Sequence, residues 1–555
     1  MLALLPLLSL AHAEDWPPGA TIDPAATADI TADGFDAVAQ LIPALLPDSI
    51  PVGDIGDSRD GWTCLDSYEY SVTNLKVNLE VADAQITPQN GVLDLDITLN
   101  VSLNDSSDPF YLYTYAVCIG DTCDGNVDAF PVNIHTTIAL EVVDDGMGGK
   151  RLDATIGELK PEYPDLGDYI HLESCAIGTI NDVMDFFGLN LYDLILGLVG
   201  GQLDSAIADF GPTIEETIED AFASANIEQD IDVNGATLHV QLQPSDVEIT
   251  PAGARVYMAG AMSGTASPCV AAYDPGGSPK TLSDPPEIGD APSGIDGDYH
   301  VDLSISDDFA NEALYALWRG GLLCYTLDEN GPVSLDTSIL NTLSGDAFVD
   351  IFPEGKPMTI VTRPMAAPVV NYSGSHDLDV AIKQLGVDFY ANLDGRDARI
   401  VGLDLDAPAG VDLDLNGTTG DLGIIVDIDP TKVTPSVSYN ELAAEANDTI
   451  KDKFAGLFQT ILDTLVGSLL DSLSFALPSF NGIGLERLEV SAAGGQSDWL
   501  GLFAWVGEVT YGADGGCGGC GGDSGSCSGG GCASSPAAPF GWATLLAFVL
   551  SRRRK

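Results

Sequence analysis

The sequence predicts an α+β protein made of two similar domains in tandem, and three patterns indicate this. A strand followed directly by a helix is predicted at 299–327, and a shorter copy of this motif lies about 275 residues earlier. After each copy come segments that alternate apolar and polar residues, as half-buried antiparallel strands do. A long apolar stripe at helical spacing then follows in each half. The interval is too long for a solenoid repeat and fits two domains.

The second copy of the motif is the clearer one. Alternation in Val301–Ile305 predicts a strand, Ser306 is placed to cap a helix, and Gly320 with Gly321 ends that helix. The helix carries an apolar stripe of Ala310, Ala313, Leu314 and Leu317, which Phe309 and Trp318 widen. One face of this helix must therefore be covered, either by a sheet or by a lipid.

The first half of the chain starts with the shorter copy, whose strand is predicted at 28–31. Its helical stripe contains Phe35, Val38, Ala39, Ile42 and Leu45. Alternation at 71–82, 91–103 and 134–143 predicts strands in which the polar positions are often aspartate. A long helix at 180–222, kinked by Pro212, and strands at 236–242 and 255–262 complete this half.

A change of composition separates the two halves. Residues 265–298 are rich in Pro, Gly, Ser and Asp without periodicity, which predicts a domain linker. Beyond it, strands are predicted across 345–430, a long helix at 439–473, and strands at 485–492 and 500–506. Each half therefore has the order short helix, strands, long helix, strands.

The charge of the chain restricts its partners. The 555 residues include 84 Asp and Glu against 21 Lys and Arg, so the net charge is −63. Such a surface argues against nucleic acid as a partner and against electrostatic capture by anionic headgroups. With 45% hydrophobic residues and a mean hydropathy of +0.14, the chain is nevertheless too apolar for the disordered class.

The first 13 residues resemble a secretory signal peptide. An apolar run through Leu10 is followed by Ala11-His12-Ala13, an A-x-A cleavage site after Ala13, although the usual basic start is missing. Export places the chain in an oxidising compartment, so six cysteines are candidate disulfide partners. These are Cys64, Cys118, Cys123, Cys175, Cys269 and Cys324. Cys118 and Cys123 are near enough in sequence to close a small loop, and the remaining pairing stays open.

The duplication, the motifs at 29–46 and 302–323, and the closing helix followed by a strand pair resemble the bactericidal/permeability-increasing protein family, also called tubular lipid-binding proteins. The resemblance covers roughly 26–510, with domains at 26–264 and 299–510. It implies that each half is a strongly curved antiparallel sheet wrapped around a long helix. An apolar pocket between sheet and helix would take phospholipid acyl chains.

The resemblance also implies which residues line the two pockets. In the first pocket these are Phe35, Val38, Leu41, Phe187, Leu191 and Ile195. In the second pocket they are Phe309, Ala313, Leu317, Phe458, Ile461 and Leu465. Family members that bind lipopolysaccharide use basic tips, which this chain almost lacks, so a neutral or zwitterionic lipid is expected. The family's disulfide between strand and helix does not transfer, because the long helix of the first half has no cysteine.

The C-terminal tail has a composition of its own. Residues 511–539 are rich in Gly and Cys, and 540–555 combine an apolar run of 11 residues with a basic end. The arrangement resembles sorting signals of the MYXO-CTERM type, which implies removal of the apolar part and attachment to the cell surface. The resemblance implies Cys532 first as the processing cysteine, with Cys527, Cys520 and Cys517 as alternatives. The alternative is a flexible linker to a marginal membrane anchor, since a spanning helix needs about 20 apolar residues.

Other motifs favour structural explanations. The runs 230–235 and 412–417 match the start of a calcium loop, D-x-D-x-N-G, but lack its closing Glu, and Asn-Gly is typical of a hairpin turn. The run 522–525, GDSG, resembles a protease nucleophile segment within a Gly-rich tail that cannot hold a preorganised site. Histidines are scattered singly, and we expect no metal site, no cofactor and no enzyme activity.

The sequence therefore predicts an exported, surface-attached monomer that binds lipid through its acyl chains and transfers or sequesters it. Its predicted partners are a phospholipid-like molecule and the cell envelope. The alternative is a structural or adhesive anionic surface protein whose halves have filled cores. An amphipathic helix buries its face against a sheet in either case, so only the resemblance favours an open pocket.

Overall fold

The structure is a computed structural model. It describes residues 15–40, 42–45, 49–51, 54–60, 62, 67–116, 118–146, 148–164, 169–173, 211–212, 215, 227–233, 236–328, 335–353, 355–416, 421–470, 475–476 and 483–509. Long stretches of alternating apolar and polar residues dominate these ranges, and most of them form strands. Of the described residues, 56% lie in strands and 14% in helices.

The elements are numbered in chain order. The strands of the first half are β1 (Ile22–Thr31), β2 (Ser49–Pro51), β3 (Ile55–Arg59), β4 (Tyr68–Thr73), β5 (Lys76–Pro88), β6 (Leu93–Leu103), β7 (Phe110–Ala116), β8 (Ile119–Asp144), β9 (Lys150–Ile156), β10 (Lys160–Glu162), β11 (Ile170–Glu173), β12 (Ile227–Val233), β13 (Ala236–Thr250) and β14 (Gly253–Gly264). Those of the second half are β15 (Val301–Ser306), β16 (Thr326–Leu327), β17 (Met358–Pro364), β18 (Val369–Asn371), β19 (Leu378–Leu393), β20 (Arg396–Asn416), β21 (Asp421–Asp427), β22 (Thr434–Tyr439), β23 (Phe475–Ala476), β24 (Ile483–Ala493) and β25 (Trp499–Glu508). The helices are α1 (Ala32–Ala39), α2 (Ile42–Leu45), α3 (Asp307–Gly320), α4 (Ser338–Ser344) and α5 (Asn447–Leu470).

Three antiparallel sheets organise the described chain. The central sheet has seven strands in the order β12-β13-β14-β1-β15-β25-β24, so both halves contribute to it. A ten-stranded sheet belongs to the first half, in the order β2-β5-β6-β8-β7-β4-β3 with β9, β10 and β11 on β8. An eight-stranded sheet belongs to the second half, in the order β16-β17-β19-β20-β21-β23 with β18 on β19 and β22 on β20.

The predicted α+β architecture, with strongly curved sheets each wrapped around a long helix, is wrong. The described residues are mostly strand and form three flat antiparallel sheets. The alternating segments are longer than predicted, because β8 alone covers 26 residues and β20 covers 21. The long helix predicted at 180–222 lies outside the described residues, apart from isolated positions.

The strand-to-helix motif of the second half is confirmed. β15 leads directly into α3, and the Ser306 hydroxyl accepts a hydrogen bond from the Phe309 amide, as an N-cap does. Gly321 ends the helix with a φ of 96°, a left-handed conformation that glycine adopts without a steric penalty. In the first half, Thr31 caps the shorter α1 in the same way by accepting from the Gly34 amide.

Two predicted element boundaries differ from the structure. The strand expected at 71–82 is broken at Asn74, whose φ of 58° is a turn conformation that asparagine tolerates. The helix expected to begin at Tyr439 begins at Asn447, because Tyr439 still pairs with Gly402 as the end of β22. The side chain of Asn440 then holds the turn by bonding to the Ala443 amide and carbonyl.

The hairpin interpretation of both calcium-like runs is confirmed. β12 and β13 pair with Val233 opposite Ala236, and β20 and β21 pair with Asn416 opposite Asp421. The disulfide prediction is confirmed for Cys269 and Cys324, which are bonded to each other. Cys118 and Cys123 each take part in a disulfide as well. Cys64 and Cys175 lie outside the described residues.

Residues 265–298, the predicted linker, lie along α3, and we call them the strap. Asp308 of α3 accepts hydrogen bonds from the Thr281 amide at 2.7 Å and the Leu282 amide at 3.1 Å. At the other end of the helix, Arg319 Nε donates to Asp274 at 3.0 Å. The Cys269–Cys324 disulfide fixes the strap beyond the C-terminus of α3.

Candidate functional site

One face of the central sheet is apolar across five strands, and we call it the junction face. It follows from alternation in register, because Ala28 of β1 lies opposite both Leu303 of β15 and Val256 of β14. Leu303 in turn lies opposite Leu502 of β25, which lies opposite Val490 of β24. The remaining members are Ala26, Ile30, Ala254, Met258, Val301, Ile305, Leu488, Ala492, Leu500 and Ala504.

The junction face is only partly covered by other protein atoms. Ala28, Ile30, Leu303, Ile305 and Leu488 remain half-buried rather than fully buried. Leu413 and Leu415 of β20 lie near one part of the face, and Val370 and Tyr372 cover another. A contiguous patch of half-buried apolar side chains marks a place where a ligand or partner gains by burial.

A cleft opens on this face where the two halves meet. It is lined by Ala28, Val301, Asp302, Leu303, Leu488, Leu502 and Ala504. Its cavity volume is about 20 Å³, close to the roughly 10–15 Å³ that one water molecule needs. This volume is far too small for an acyl chain. This cleft therefore supplies an apolar wall rather than a complete lipid pocket.

Two of the six residues predicted for the first pocket can be located. Phe35 is buried in the large apolar cluster of the first half, and Val38 packs against that cluster half-buried. Leu41, Phe187, Leu191 and Ile195 lie outside the described residues, as do Ala13 and Cys532. The inner faces of β6 and β8 form much of this cluster, with Leu95, Ile97, Val132 and Ile134 buried.

The α3 residues predicted for the second pocket face the first half instead. Phe309, Ala313 and Leu317 all pack in or against the first-half cluster. The Phe309 ring lies so close to Gly260 that a Cβ at that position would approach it to 2.5 Å. Toward the second half, α3 presents Ala310 and Leu314, which meet the junction face. In the sequence, Ala310 and Leu314 belong to the same apolar stripe as Ala313 and Leu317. Nothing in that stripe indicates which of these residues face the first half and which face the second.

Of the α5 residues predicted for the second pocket, Phe458 alone has a described side chain. It is buried beside Phe454, with ring centroids 5.8 Å apart, in the cluster that covers one side of the second-half sheet. Ile461 and Leu465 lie on α5, and their side chains are outside the described part of the structure.

The opposite face of the central sheet is polar at its centre, which the sequence did not reveal. One row across the strands consists of Arg255, Asp29, Asp302 and Phe503. The Arg255 guanidinium binds both carboxylate oxygens of Asp29, with Nε to Oδ1 at 2.7 Å. Asp302 accepts hydrogen bonds from the Ser304 hydroxyl at 3.0 and 3.2 Å. These carboxyls and the guanidinium are buried, with Asp29 only 1% and Asp302 2% exposed.

Burial dominates the electrostatics of this row. It raises the pKa of Asp302 well above the usual range, and the charge of the neighbouring Asp29 raises that pKa further. Burial also raises the pKa of Asp29, although the hydrogen bond and the charge of Arg255 oppose the rise. The pKa of the Tyr299 phenol, near the start of β15, is raised by burial and by these acids.

Four of the histidines that are scattered in the sequence lie beside aspartates in the fold. The pairs are His135 with Asp96, His171 with Asp128, His239 with Asp230, and His376 with Asp412. Hydrogen bonds to the carboxylates of Asp96 and Asp412 raise the pKa of His135 and His376, respectively. Across the described ranges, no group of three or more His, Cys, Asp or Glu side chains is arranged to hold a metal ion. Within the same ranges, no helix is both long enough and apolar enough to cross a membrane.

Comparison with known proteins places the fold. No protein-family model and no curated relative matches the chain. The crystal structure of lipopolysaccharide binding protein is similar with a TM-score of 0.53 at 15% identity, over 88% of this chain and 100% of that chain. P47 of Clostridium botulinum E1 has a TM-score of 0.23 at 10% identity, over 88% of this chain and 100% of that one. P47 of Clostridium botulinum A2 has a TM-score of 0.22 at 12% identity, over 86% and 96%.

The likeness to lipopolysaccharide binding protein is one of fold, because the identity of 15% is low. That protein belongs to the bactericidal/permeability-increasing protein family. The predicted resemblance to this family is therefore supported at the level of overall fold. The TM-scores to P47 are too low to support any inference.

Proposed function

We propose that the protein binds lipid and that acyl chains lie against the junction face. The observation that carries this proposal is the apolar surface shared by both halves, whose members at Ala28, Ile30, Leu303, Ile305 and Leu488 remain half-buried. Burial of acyl chains is favourable by about 0.8 kcal/mol for each CH₂ group. The fold likeness to lipopolysaccharide binding protein supports a lipid-type ligand.

The charge of the chain narrows the class of lipid. A net charge of −63 opposes anionic headgroups, including the phosphates of lipopolysaccharide. We therefore propose a neutral or zwitterionic lipid, held by its acyl chains and not by its headgroup charge. Sequestration and transfer are both compatible with this mode of binding.

The proposed setting follows from the two ends of the sequence. The chain is exported, cleaved after Ala13, and attached to the cell surface through a C-terminus processed at Cys532. It acts by binding, without covalent chemistry. Intact-mass analysis of the protein from its native membrane fraction tests this part, and a mass that includes residues 540–555 contradicts it.

The main experiment is native mass spectrometry of the full chain with added phosphatidylcholine, followed by organic extraction and lipid identification. We expect bound lipid in the wild type and less of it in Leu488→Trp, because the indole occupies part of the junction face against which the acyl chains lie. Ile425→Trp is the matched control, since Ile425 is 52% exposed on β21 and lies outside the cleft. An apo mass that does not change with added lipid contradicts the proposal.

A structural or adhesive role with filled cores is the second candidate. Two observations favour it: Phe309, Ala313 and Leu317 pack against protein, and the cleft holds only about 20 Å³. This candidate predicts that wild type, Leu488→Trp and Ile425→Trp all keep the apo mass in the presence of lipid. The same measurement therefore decides between the two functions.

A further inference from the structure

The polar row at the centre of the shared sheet contains more acid than base. Asp29 and Asp302 lie directly opposite each other on β1 and β15, which come from different halves of the chain. Directly opposite side chains on neighbouring strands have their Cβ atoms about 4.5–5.5 Å apart. Two buried carboxylates at this separation repel each other strongly unless a cation or a proton compensates.

The one cation of the row, Arg255, compensates one of the two acids. Arg255 binds both oxygens of Asp29, and its own side chain is 4% exposed. On the other side of Asp302, the residue opposite is Phe503, an apolar ring that is fully buried. Asp302 accepts from the Ser304 hydroxyl, which carries no charge. Among the described residues, Arg255 is the one cation whose charge acts on Asp302.

Other titratable groups near the row are acids and phenols, together with His300 and Arg487. His300 lies two residues before Asp302, and its Nδ1 accepts a hydrogen bond from the Val506 amide at 2.9 Å. Arg487 is ion-paired with Glu489, the residue opposite Phe503. Glu248 of β13 adds negative charge near Asp29, and it also accepts a hydrogen bond from the Tyr257 hydroxyl of β14 at 2.6 Å. Tyr299 donates its hydroxyl hydrogen to the Asp290 carbonyl of the strap at 3.1 Å, and the Asp290 carboxylate adds negative charge there. The acids and phenols cannot neutralise a second carboxylate, and neither His300 nor Arg487 is among the groups whose charge acts on Asp302.

We propose that Asp29, Asp302 and Arg255 form a proton-dependent lock between the two halves, in which the sheet is tightest while the two carboxyls share one proton. Loss of this proton places two carboxylates against one guanidinium in the interior, and the pairing of β1 with β15 loosens. The junction face lies on the other side of the same two strands. When the pairing of β1 with β15 loosens, the apolar residues of the junction face therefore also lose their alignment. This inference does not depend on lipid binding.

The direction of the pH effect follows from proton counting. An unfolded aspartate loses its proton near pH 4, whereas burial raises the pKa of Asp302 in the folded protein. Between these two values, the folded state binds more protons than the unfolded state does. The contribution of Asp302 to stability is therefore fully present below about pH 4 and is lost as pH rises through the folded pKa.

The first test compares the thermal midpoint of the full-length wild type with that of Asp302→Asn from pH 4 to pH 9. The amide keeps the shape of the side chain, cannot ionise, and has N–H groups that replace the shared proton. We expect the midpoint of the variant to exceed that of the wild type by an amount that grows as pH rises. Asp83→Asn is the control, because Asp83 is an exposed aspartate on β5, and its curve should stay parallel to that of the wild type.

The second test needs no variant and covers the case in which Asp302→Asn fails to fold. Hydrogen exchange of the wild type, corrected for the intrinsic rate, is followed across the same pH range in β1, β15 and the remote β6. Protection in β1 and β15 should fall about tenfold for each unit by which the folded pKa of Asp302 exceeds that of a free aspartate, while β6 keeps its protection. The proposal is overturned if the curves of midpoint against pH for the wild type and Asp302→Asn are parallel in the first test. It is also overturned if β6 loses as much protection as β1 and β15 in the second test.

Discussion

The two copies of the strand-to-helix motif, β1–α1 and β15–α3, share a plan and differ in their surroundings. Each strand ends at a hydroxyl residue that caps the following helix, Thr31 in one copy and Ser306 in the other. Each hydroxyl also donates a hydrogen bond across to the other copy. Thr31 donates to the Tyr299 carbonyl at 2.7 Å, and Ser306 donates to the Ala25 carbonyl at 2.9 Å.

The helices that follow are not equivalent. α1 has 8 residues and buries one side, through Gly34, Phe35 and Ala39. α3 has 14 residues and is buried nearly all round, and its polar Asp308 and Glu312 bond to the strap and to residues near the N-terminus. The pairing register of β1 with β15 and the two helix caps are therefore common to both copies. The lengths of the helices that follow differ, because each helix packs against different neighbouring elements.

The largest effect is expected from removing the single cation of the central row. Arg255→Met leaves Asp29 buried without its partner beside Asp302, and we expect a loss of about 3–5 kcal/mol in the free energy of unfolding. Denaturant titration of the full chain measures this loss. Lys160→Met is the control, since the Lys160–Glu158 pair is exposed, and its unfolding midpoint should not move. A loss for Arg255→Met no greater than that of the control contradicts the assigned role.

The next effect concerns the strap, which is found beside α3 and has no counterpart beside α1 in the described structure. Replacing Cys269 and Cys324 together by serine opens a loop of 55 residues, and we expect a loss of about 2–4 kcal/mol in stability. Limited proteolysis followed by mass spectrometry should then find new cuts within 265–298. Within 265–298, reductant should produce the same cuts in the wild type and no further cuts in the double variant. Identical digestion of both proteins without reductant shows that the hydrogen bonds alone hold the strap.

The smallest effect tests whether the two caps are equivalent. Ser306→Ala and Thr31→Ala each remove a helix cap and a hydrogen bond to the opposite half, and we expect each to lower the free energy of unfolding by about 1–2 kcal/mol. Ser306→Thr and Thr31→Ser keep the hydroxyl and should recover most of the loss. If one alanine variant has the same free energy of unfolding as the wild type, the two caps do not contribute equally to stability.

Local signals in the sequence were sufficient to predict the strand-to-helix motif. They were not sufficient to predict that the strands of the two copies, β1 and β15, pair with each other. Ser306 and Gly321 fix the ends of α3 through cap geometry, which a short stretch of sequence determines. The pairing of Ala26 with Ile305 joins residues from different halves, and the register depends on both strands at once. Alternation within each strand predicted which residues are apolar, but the continuous junction face appears only when five strands lie side by side.

The side of α3 that faces each neighbour could not be predicted for a different reason. Apolar residues occur on several sides of this helix, so the stripe has no single direction. Phe309 turned out to face the first half and Leu314 the second. Asp302 likewise looks like any polar position of a half-buried strand, because only the fold shows that Phe503 and Asp29 enclose it.

The place of β1 between β14 and β15 has a consequence for how the chain is made. A ribosome completes β1 and β14 within the first 264 residues, but the other edge of β1 has no partner until β15 is synthesised. The interval between β1 and β15 is about 275 residues, which takes roughly 15–55 s at 5–20 residues per second. An open strand edge pairs readily with other chains. During this interval the free edge of β1 in the nascent protein is open to pairing with other chains.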